Sequence, residues 1–172
     1  VVEYGLTTSL GKRIESEILT TDHVLQLIDL EPSATYHYRV GGIAGEIPRF
    51  SKTTSFKTLK PSGHVRLMLL GDSGSGNLLQ HKFAKVIRDN EPDAILHAGD
   101  IVYNFKSGHP NYYNDFRHFS AFKNHMRSVP YFTTIGNHEL YHGDEAYLNA
   151  FHPPTINLPT LGLKTSNLDY PF

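Results

Sequence analysis

Residues Val65–Asn77 read VRLMLLGDSGSGN, a near-continuous apolar run that stops at a Gly-Asp pair. Such a run is the mark of a strand buried on both faces of a parallel sheet. The phrase returns at Asp93–Asp100 (DAILHAGD) and again, with an amide replacing the carboxylate, at Val129–Asn137 (VPYFTTIGN). Between these runs lie two helical patterns. NLLQHKFAKVIRDN (Asn77–Asn90) places Leu79, Phe83, Val86 and Ile87 at helical spacing, and YYNDFRHFSAFKNHMRSV (Tyr112–Val129) does the same with Phe116, Phe119, Phe122 and Met126. Strand, helix, strand, helix, strand predicts right-handed βαβ units and a parallel sheet.

Up to about Leu59 the rhythm differs. VVEYG, KRIESEILT, HVLQLIDL, ATYHYRV and TTSFKTL read as short strands rich in Val, Ile, Thr, Tyr and Phe, punctuated by Gly-Lys, Glu-Pro-Ser and Gly-Gly. In HVLQLIDL, Val24 and its apolar neighbours are expected to face a core, away from His23, Gln26 and Asp29. This is the habit of a β-sandwich, of which about seven strands make a whole one. LKPSGH (Leu59–His64) is the expected linker. The fold class is therefore α/β (α+β overall), with a partial sandwich over residues 1–60 and a βαβαβ unit over residues 61–172. Both ends read as cut, since the chain begins as though in mid-strand.

Composition excludes several functions. A net charge of -1 offers no field for nucleic acid or an acidic membrane, and no run of about 18 apolar residues spans a bilayer. Zero cysteines remove disulfides, thiolate zinc sites and a cysteine nucleophile together.

The polar residues gather where strands end. Ligands of open α/β sheets bind beyond the carboxyl ends of the strands, and Asp72, Asp100 and Asn137 each follow a glycine there. The intervals 72 to 100 and 100 to 137 are long enough for helical crossovers, so the three side chains should converge on one rim. Close carboxylates repel, and a bound cation is the simplest compensation. Tyr103, three residues beyond Asp100, could join them as a phenolate.

Two decoys sit in the same stretches. Gly-Asp-Ser-Gly suggests a nucleophilic serine at Ser73, but the protease setting is a two-barrel β fold, and the hydrolase elbow Gly-x-Ser-x-Gly fails at Ser75. Ser73 is expected to order its loop. His138-Glu139-x-x-His142 has zinc-protease spacing, yet strand formers and a Gly-Asn turn precede it and Gly143 follows, so no helix of the needed length fits. The other histidines receive structural readings: His97 a hydrogen-bonded core residue, His81, His118 and His125 solvated positions on helices. His23, His37 and His64 lie far from the rim, while His109 and His152 fall in loops.

GDSG, GDIVY and GNHE, in this order and spacing, resemble the metallophosphoesterase superfamily, and the tyrosine of GDIVY makes the chain similar to its purple acid phosphatase branch. LEPSATYHYRV followed by TSFKTLKPSG resembles the closing strands of the fibronectin type III-like domain that precedes the catalytic domain there. The resemblance implies hydrolysis of small phosphate monoesters by metal-bound hydroxide on a dinuclear centre. Asp72 and Tyr103 would hold iron(III), Asp100 would bridge, and Asn137 would hold iron(II), zinc or manganese. His138 would bind the phosphate or protonate the leaving alcohol. The family's three further histidine ligands have no counterpart up to Phe172. The resemblance therefore covers the front half of such an enzyme, a fragment expected to bind metal weakly and hydrolyse little. It also implies a secreted or extracytoplasmic location. A non-purple phosphodiesterase, with Tyr103 merely structural, and an inert binding module are the alternatives.

Overall fold

The computed structural model describes residues 1–20, 23–44, 47–103, 116–141 and 145–152. Aromatic alternation builds the first sheet. Its antiparallel strands are β1 (Val2–Gly5), β2 (Lys12–Ile14), β3 (Thr35–Ala44), β4 (Ile47–Phe50) and β5 (Thr54–Lys57), with β3 paired to β1, β4 and β5. Tyr36 is buried, stacked on Phe56 at 5.8 Å and tilted against Tyr4 at 6.3 Å. Its hydroxyl accepts the Glu31 N–H at 3.1 Å and pins the entry to β3. Register places Glu3 opposite Arg39, where a 2.6 Å ion pair joins β1 to β3.

These strands are not the set that composition suggests. HVLQLIDL is outside any ladder among the described residues, and the ladder of KRIESEILT ends at Ile14. IPRF instead forms β4, and β3 continues through Gly41-Gly42. A Cβ on Gly41 would lie 2.4 Å from the Phe50 ring, so this glycine admits a neighbour rather than ending a strand. Val24 also departs from expectation. It is exposed, as is Ile28, while Leu25 and Leu27 line a hollow with Tyr38, Val40 and Phe56. Successive side chains of an extended chain point to opposite sides, so the four apolar residues cannot share one face.

The second sheet is parallel, in the order β6 (Leu67–Leu70), β7 (Ala94–His97), β8 (Tyr131–Thr133). Helix α1 (Leu78–Asp89) and helix α2 (Phe116–Ser128) make the crossovers, and one-turn α3 (Asn137–Leu140) and α4 (Glu145–Ala150) follow β8. Asn77 caps α1 by accepting the Gln80 N–H at 2.9 Å. Leu70, Ala84, Ile87, Ile95 and Phe122 form the core between sheet and helices. A second cluster of Ile101, Val102, Ile135, Tyr147 and Phe151 packs under the turns beyond the strands.

Two expectations need correction. Strand β6 is not buried on both faces: Leu70 is buried, whereas Leu67 and Leu69 are exposed. The helices cover only the face bearing Met68, Leu70 and Ile95. In α1 the inward residues are Gln80, Ala84 and Ile87, while Leu79, Phe83 and Val86 are exposed. Gln80 is drawn in by hydrogen bonds to the Gly76 N–H and the Arg117 carbonyl, which rotates the helix. The aromatic stripe of α2 is core as expected: Phe122 is fully buried and Phe119 stacks on Phe151 at 5.9 Å. The Phe116 side chain lies outside what is described.

Phe122→Ala should lower unfolding stability by about 3–5 kcal/mol, the usual cost of emptying a buried aromatic site, read from urea midpoints. A gentler effect is expected at Asp93, which accepts the Arg66 N–H at 2.9 Å and pairs with Lys60 at 3.1 Å. These contacts, the backbone one first, hold its carboxyl below the ordinary range. A depressed carboxyl contributes stability above its unfolded pKa and loses it as pH falls through the folded value. Asp93→Asn should therefore lower Tm at pH 7, and the difference should vanish in strong acid.

Candidate metal centre

Three turns carry the predicted residues, and hydrogen bonds beyond the strands bind them together. Ala98 N–H donates to the Leu70 carbonyl at 2.8 Å, Asp72 N–H to Gly99 at 3.2 Å and Ser73 N–H to Asp100 at 3.0 Å. Thr134 N–H donates to the His97 carbonyl at 3.0 Å, joining the third turn to the second. Asp72 and Asp100 both take left-handed backbone, φ 52° and 54°. Aspartate is among the few non-glycine residues that accept this conformation.

Glycine is required where the turns touch. A Cβ on Gly136 would sit 2.1 Å from Asp100 Oδ1, and one on Gly74 would sit 2.5 Å from the Tyr103 nitrogen. The Tyr103 hydroxyl donates to Asp72 Oδ1, and Arg117 holds the Tyr103 carbonyl. His138 N–H donates to Asp100 Oδ1 at 3.0 Å. The His138 ring lies edge-on between Tyr103 at 4.4 Å and Tyr141 at 5.1 Å. Asn137 Nδ2 donates to the Tyr141 hydroxyl at 3.0 Å. Asp72, Asp100, Tyr103, Asn137 and His138 thus share one rim; the strand ends point to the first four, and His138 comes from the resemblance alone.

Burial, then the hydrogen bond and charge of Asp72 and the charge of Asp100, push the Tyr103 phenol's pKa up. A cation among these oxygens would offset that accumulation of negative charge. The donor set suits a hard cation, being two carboxylates, a phenol and an amide. The Tyr103–Asp72 contact shows that two donors reach a common point. No three His, Cys, Asp or Glu side chains among the described residues are placed to hold a metal by themselves. A cation there would draw on the phenol and the amide as well.

Glu139 is the residue that sequence reasoning considered only as a protease base. It is fully buried, and each carboxylate oxygen accepts two backbone N–H groups. Oε1 takes Ile101 at 2.9 Å and Val102 at 3.2 Å, and Oε2 takes Asp100 and Gly136 at 2.8 Å each. Those bonds shape the Asp100 turn and leave no free lone pair aimed at a water, so the protease reading fails here. Helix α3 is a single turn as well, and His142 lies outside the described residues. The signal was available: glutamate three residues after the Gly136 cap has capping-box spacing.

The histidines divide differently from expectation. His97 is a buried, hydrogen-bonded core residue as read, its pKa lowered to about 4 by burial against the pull of Asp72 and Asp100. His118 and His125 are buried instead of solvated. With Phe122 they follow i, i+4, i+7 spacing and so share the helix face turned to the core. Ser73, Oγ 2.6 Å from His97 Nε2 and 2.8 Å from His118 Nδ1, sits beneath the Asp72 turn.

Glu139→Gln would set an amide NH2 against two buried N–H donors. The variant should lose about 2–6 kcal/mol of stability, and amide exchange at Asp100 and Gly136 should accelerate in NMR.

The calcineurin-like phosphoesterase family matches residues 65–169. The chain is similar to acid phosphatase type 7 of Mus musculus, 32% identical over 140 residues covering 78% of this chain and 30% of that protein. The Homo sapiens protein is 31% identical over the same shares. That of Danio rerio is 30% identical over 171 residues, 90% of this chain and 37% of its own. The chain thus spans about a third of the length of these curated relatives. Among solved structures it resembles a purple acid phosphatase from yellow lupin (Lupinus luteus) seeds. The TM-score is 0.53 at 25% identity, over 64% of this chain and 22% of that one. The family match runs from the start of the parallel sheet through all three strand-end turns, and the chain belongs to the calcineurin-like phosphoesterase family.

Proposed function

We propose that this chain carries the first half of a dinuclear metal centre in an acid phosphatase that hydrolyses small phosphate monoesters. The observation behind this reading is the rim itself. Tyr103 meets the Asp72 carboxylate, and the Asp100 carboxylate packs against Gly136, next to Asn137 and His138. Asp72 and Tyr103 would hold the first metal, an iron(III), Asp100 would serve both, and Asn137 would hold the second, an iron(II), zinc or manganese. When bound, such a pair activates water and clamps a phosphoryl group between two charges.

The chain's own residues supply orientation. His138, held by its N–H to Asp100 and by the two tyrosine rings, binds the phosphate or gives a proton to the leaving alcohol. Arg117, through the Tyr103 carbonyl, holds the phenol over Asp72.

Residues 1–60 are read as part of a fibronectin type III-like sandwich and residues 61–172 as the first half of the catalytic domain. Support comes from Tyr36, whose hydroxyl bonds the backbone of Glu31, five residues upstream, in the manner of a sandwich tyrosine corner. The partner is a small phosphate ester, and neither nucleic acid nor membrane is involved. No helix among the described residues is long and apolar enough to cross a membrane, and a secreted or extracytoplasmic location follows from the resemblance.

The test uses a full-length protein containing this chain, with para-nitrophenyl phosphate as substrate. Asp100→Asn should lower kcat/KM by about 10³-fold, on the order of 4 kcal/mol of transition-state stabilisation. Tyr103→Phe should abolish a visible charge-transfer band. Preference for the bis-ester with manganese, and no such band, would establish the phosphodiesterase reading instead. The 172-residue chain alone should release little phosphate.

A further inference from the structure

The contacts of Ser73 form a chain with one direction. Gly99 N–H donates to His97 Nδ1 at 3.2 Å, so that nitrogen carries no proton. A neutral imidazole then has its proton on Nε2, which lies 2.6 Å from Ser73 Oγ and donates to it. Ser73 turns its own proton to His118 Nδ1 at 2.8 Å. His118 in turn presents Nε2–H to the Tyr131 hydroxyl at 3.3 Å. Ser73, His97 and His118 are 4%, 2% and 0% exposed, so water competes for neither bond of the Ser73 hydroxyl.

We propose that Ser73 is a positioning residue: its hydroxyl closes a proton-ordered chain, Gly99 to His97 to Ser73 to His118 to Tyr131, that holds the Asp72 and Asp100 turns at a fixed separation. Ser73 directly follows Asp72, and the Gly99 amide directly precedes Asp100. Tyr131 opens β8, whose turn carries Asn137, and His118 belongs to α2. The chain therefore grips every strand that delivers a candidate ligand. Backbone bonds already set the register of the two turns. A buried hydroxyl with a donor on one side and an acceptor on the other adds to that constraint, because displacement leaves polar groups unsatisfied without water.

His118 Nδ1 accepts the serine proton, as a base would, but Ser73 is 4% exposed and no substrate atom reaches its hydroxyl. The role rests on the reading of Asp72 and Asp100 as metal ligands, where partners behind the ligands typically change affinity 10–100-fold.

The experiment takes the full-length protein in two arms. In the wild type, nitrogen-15 NMR of the imidazole rings at pH 7 should show His97 and His118 neutral, each with its proton on Nε2. A proton on His97 Nδ1, or a charged His97, overturns the chain. In the second arm, manganese(II) and zinc(II) are titrated by calorimetry well below the Tm of each variant. Ser73→Ala should bind about 10–100-fold more weakly than wild type, and Ser73→Thr, which keeps the hydroxyl, should remain near it. Equal affinities for wild type and Ser73→Ala overturn the positioning role while leaving the metal reading intact. Absence of uptake by the wild type overturns the metal reading and the role with it, separately from the tautomers. Labelling of Ser73 by a fluorophosphonate would also overturn the proposal.

Discussion

Glu139 carries a carboxylate into a place with no solvent, and the site is arranged around the consequence. An ion there is tolerable only if its oxygens are fully hydrogen-bonded, and four backbone N–H groups do this. Three of the donors are consecutive, Asp100 to Val102, which forces the chain after β7 to curl around one point. That curl sets Asp100 in left-handed backbone with its side chain against Gly136. It also sends Ile101 and Val102 inward to the second core cluster. The fourth donor, Gly136, brings the turn after β8 to the same point. One buried charge thus fixes two of the three turns, and the third is reached through Ser73 and Tyr103.

The parallel half of the fold was readable because its signals are local and redundant. Apolar runs ending in Gly-Asp, Gly-Asp and Gly-Asn mark β6, β7 and β8, and helical spacing marks α1 and α2. Asp72, Asp100 and Asn137 followed from those endings, with Tyr103 close behind, whereas His138 needed the resemblance. What escaped were features decided by partners distant in the chain. HVLQLIDL has the composition of a strand, but a ladder needs a partner, and β3 pairs with IPRF and TSFK instead. The outward turn of Leu79, Phe83 and Val86 depends on Gln80 bonding to Gly76 and Arg117, which no periodicity encodes. The exposure of Leu67 and Leu69 depends on what covers the second face of the sheet.

The two decoys show how local spacing and surroundings can disagree. Ser73 lies within 3 Å of two histidines, a contact that by distance alone would suit a nucleophile and its base. Burial decides against that meaning, since Ser73 is enclosed by the Asp72 turn, His97 and His118 and is closed to a substrate. Glu139 stands between two histidines of a protease motif, yet both of its oxygens are spent on the backbone. For Glu139 the deciding partners are main-chain N–H groups, which every residue but proline has and which sequence motifs therefore cannot mark.

Helix α2 gives the two sheets a mechanical connection. Its first turns hold the site, through Arg117 to the Tyr103 carbonyl and His118 to Ser73. Its last turn receives the Tyr38 hydroxyl on the Arg127 carbonyl at 2.8 Å, from a residue in the middle of β3. Thirteen residues of helix span about 20 Å, so a rigid element joins the antiparallel sheet to the candidate ligands. Phe122, buried midway, locks that element to the parallel sheet. A shift of the first sheet along β3 would be felt at Tyr103 and Ser73 through this helix. The antiparallel sheet is thereby part of the support of the site.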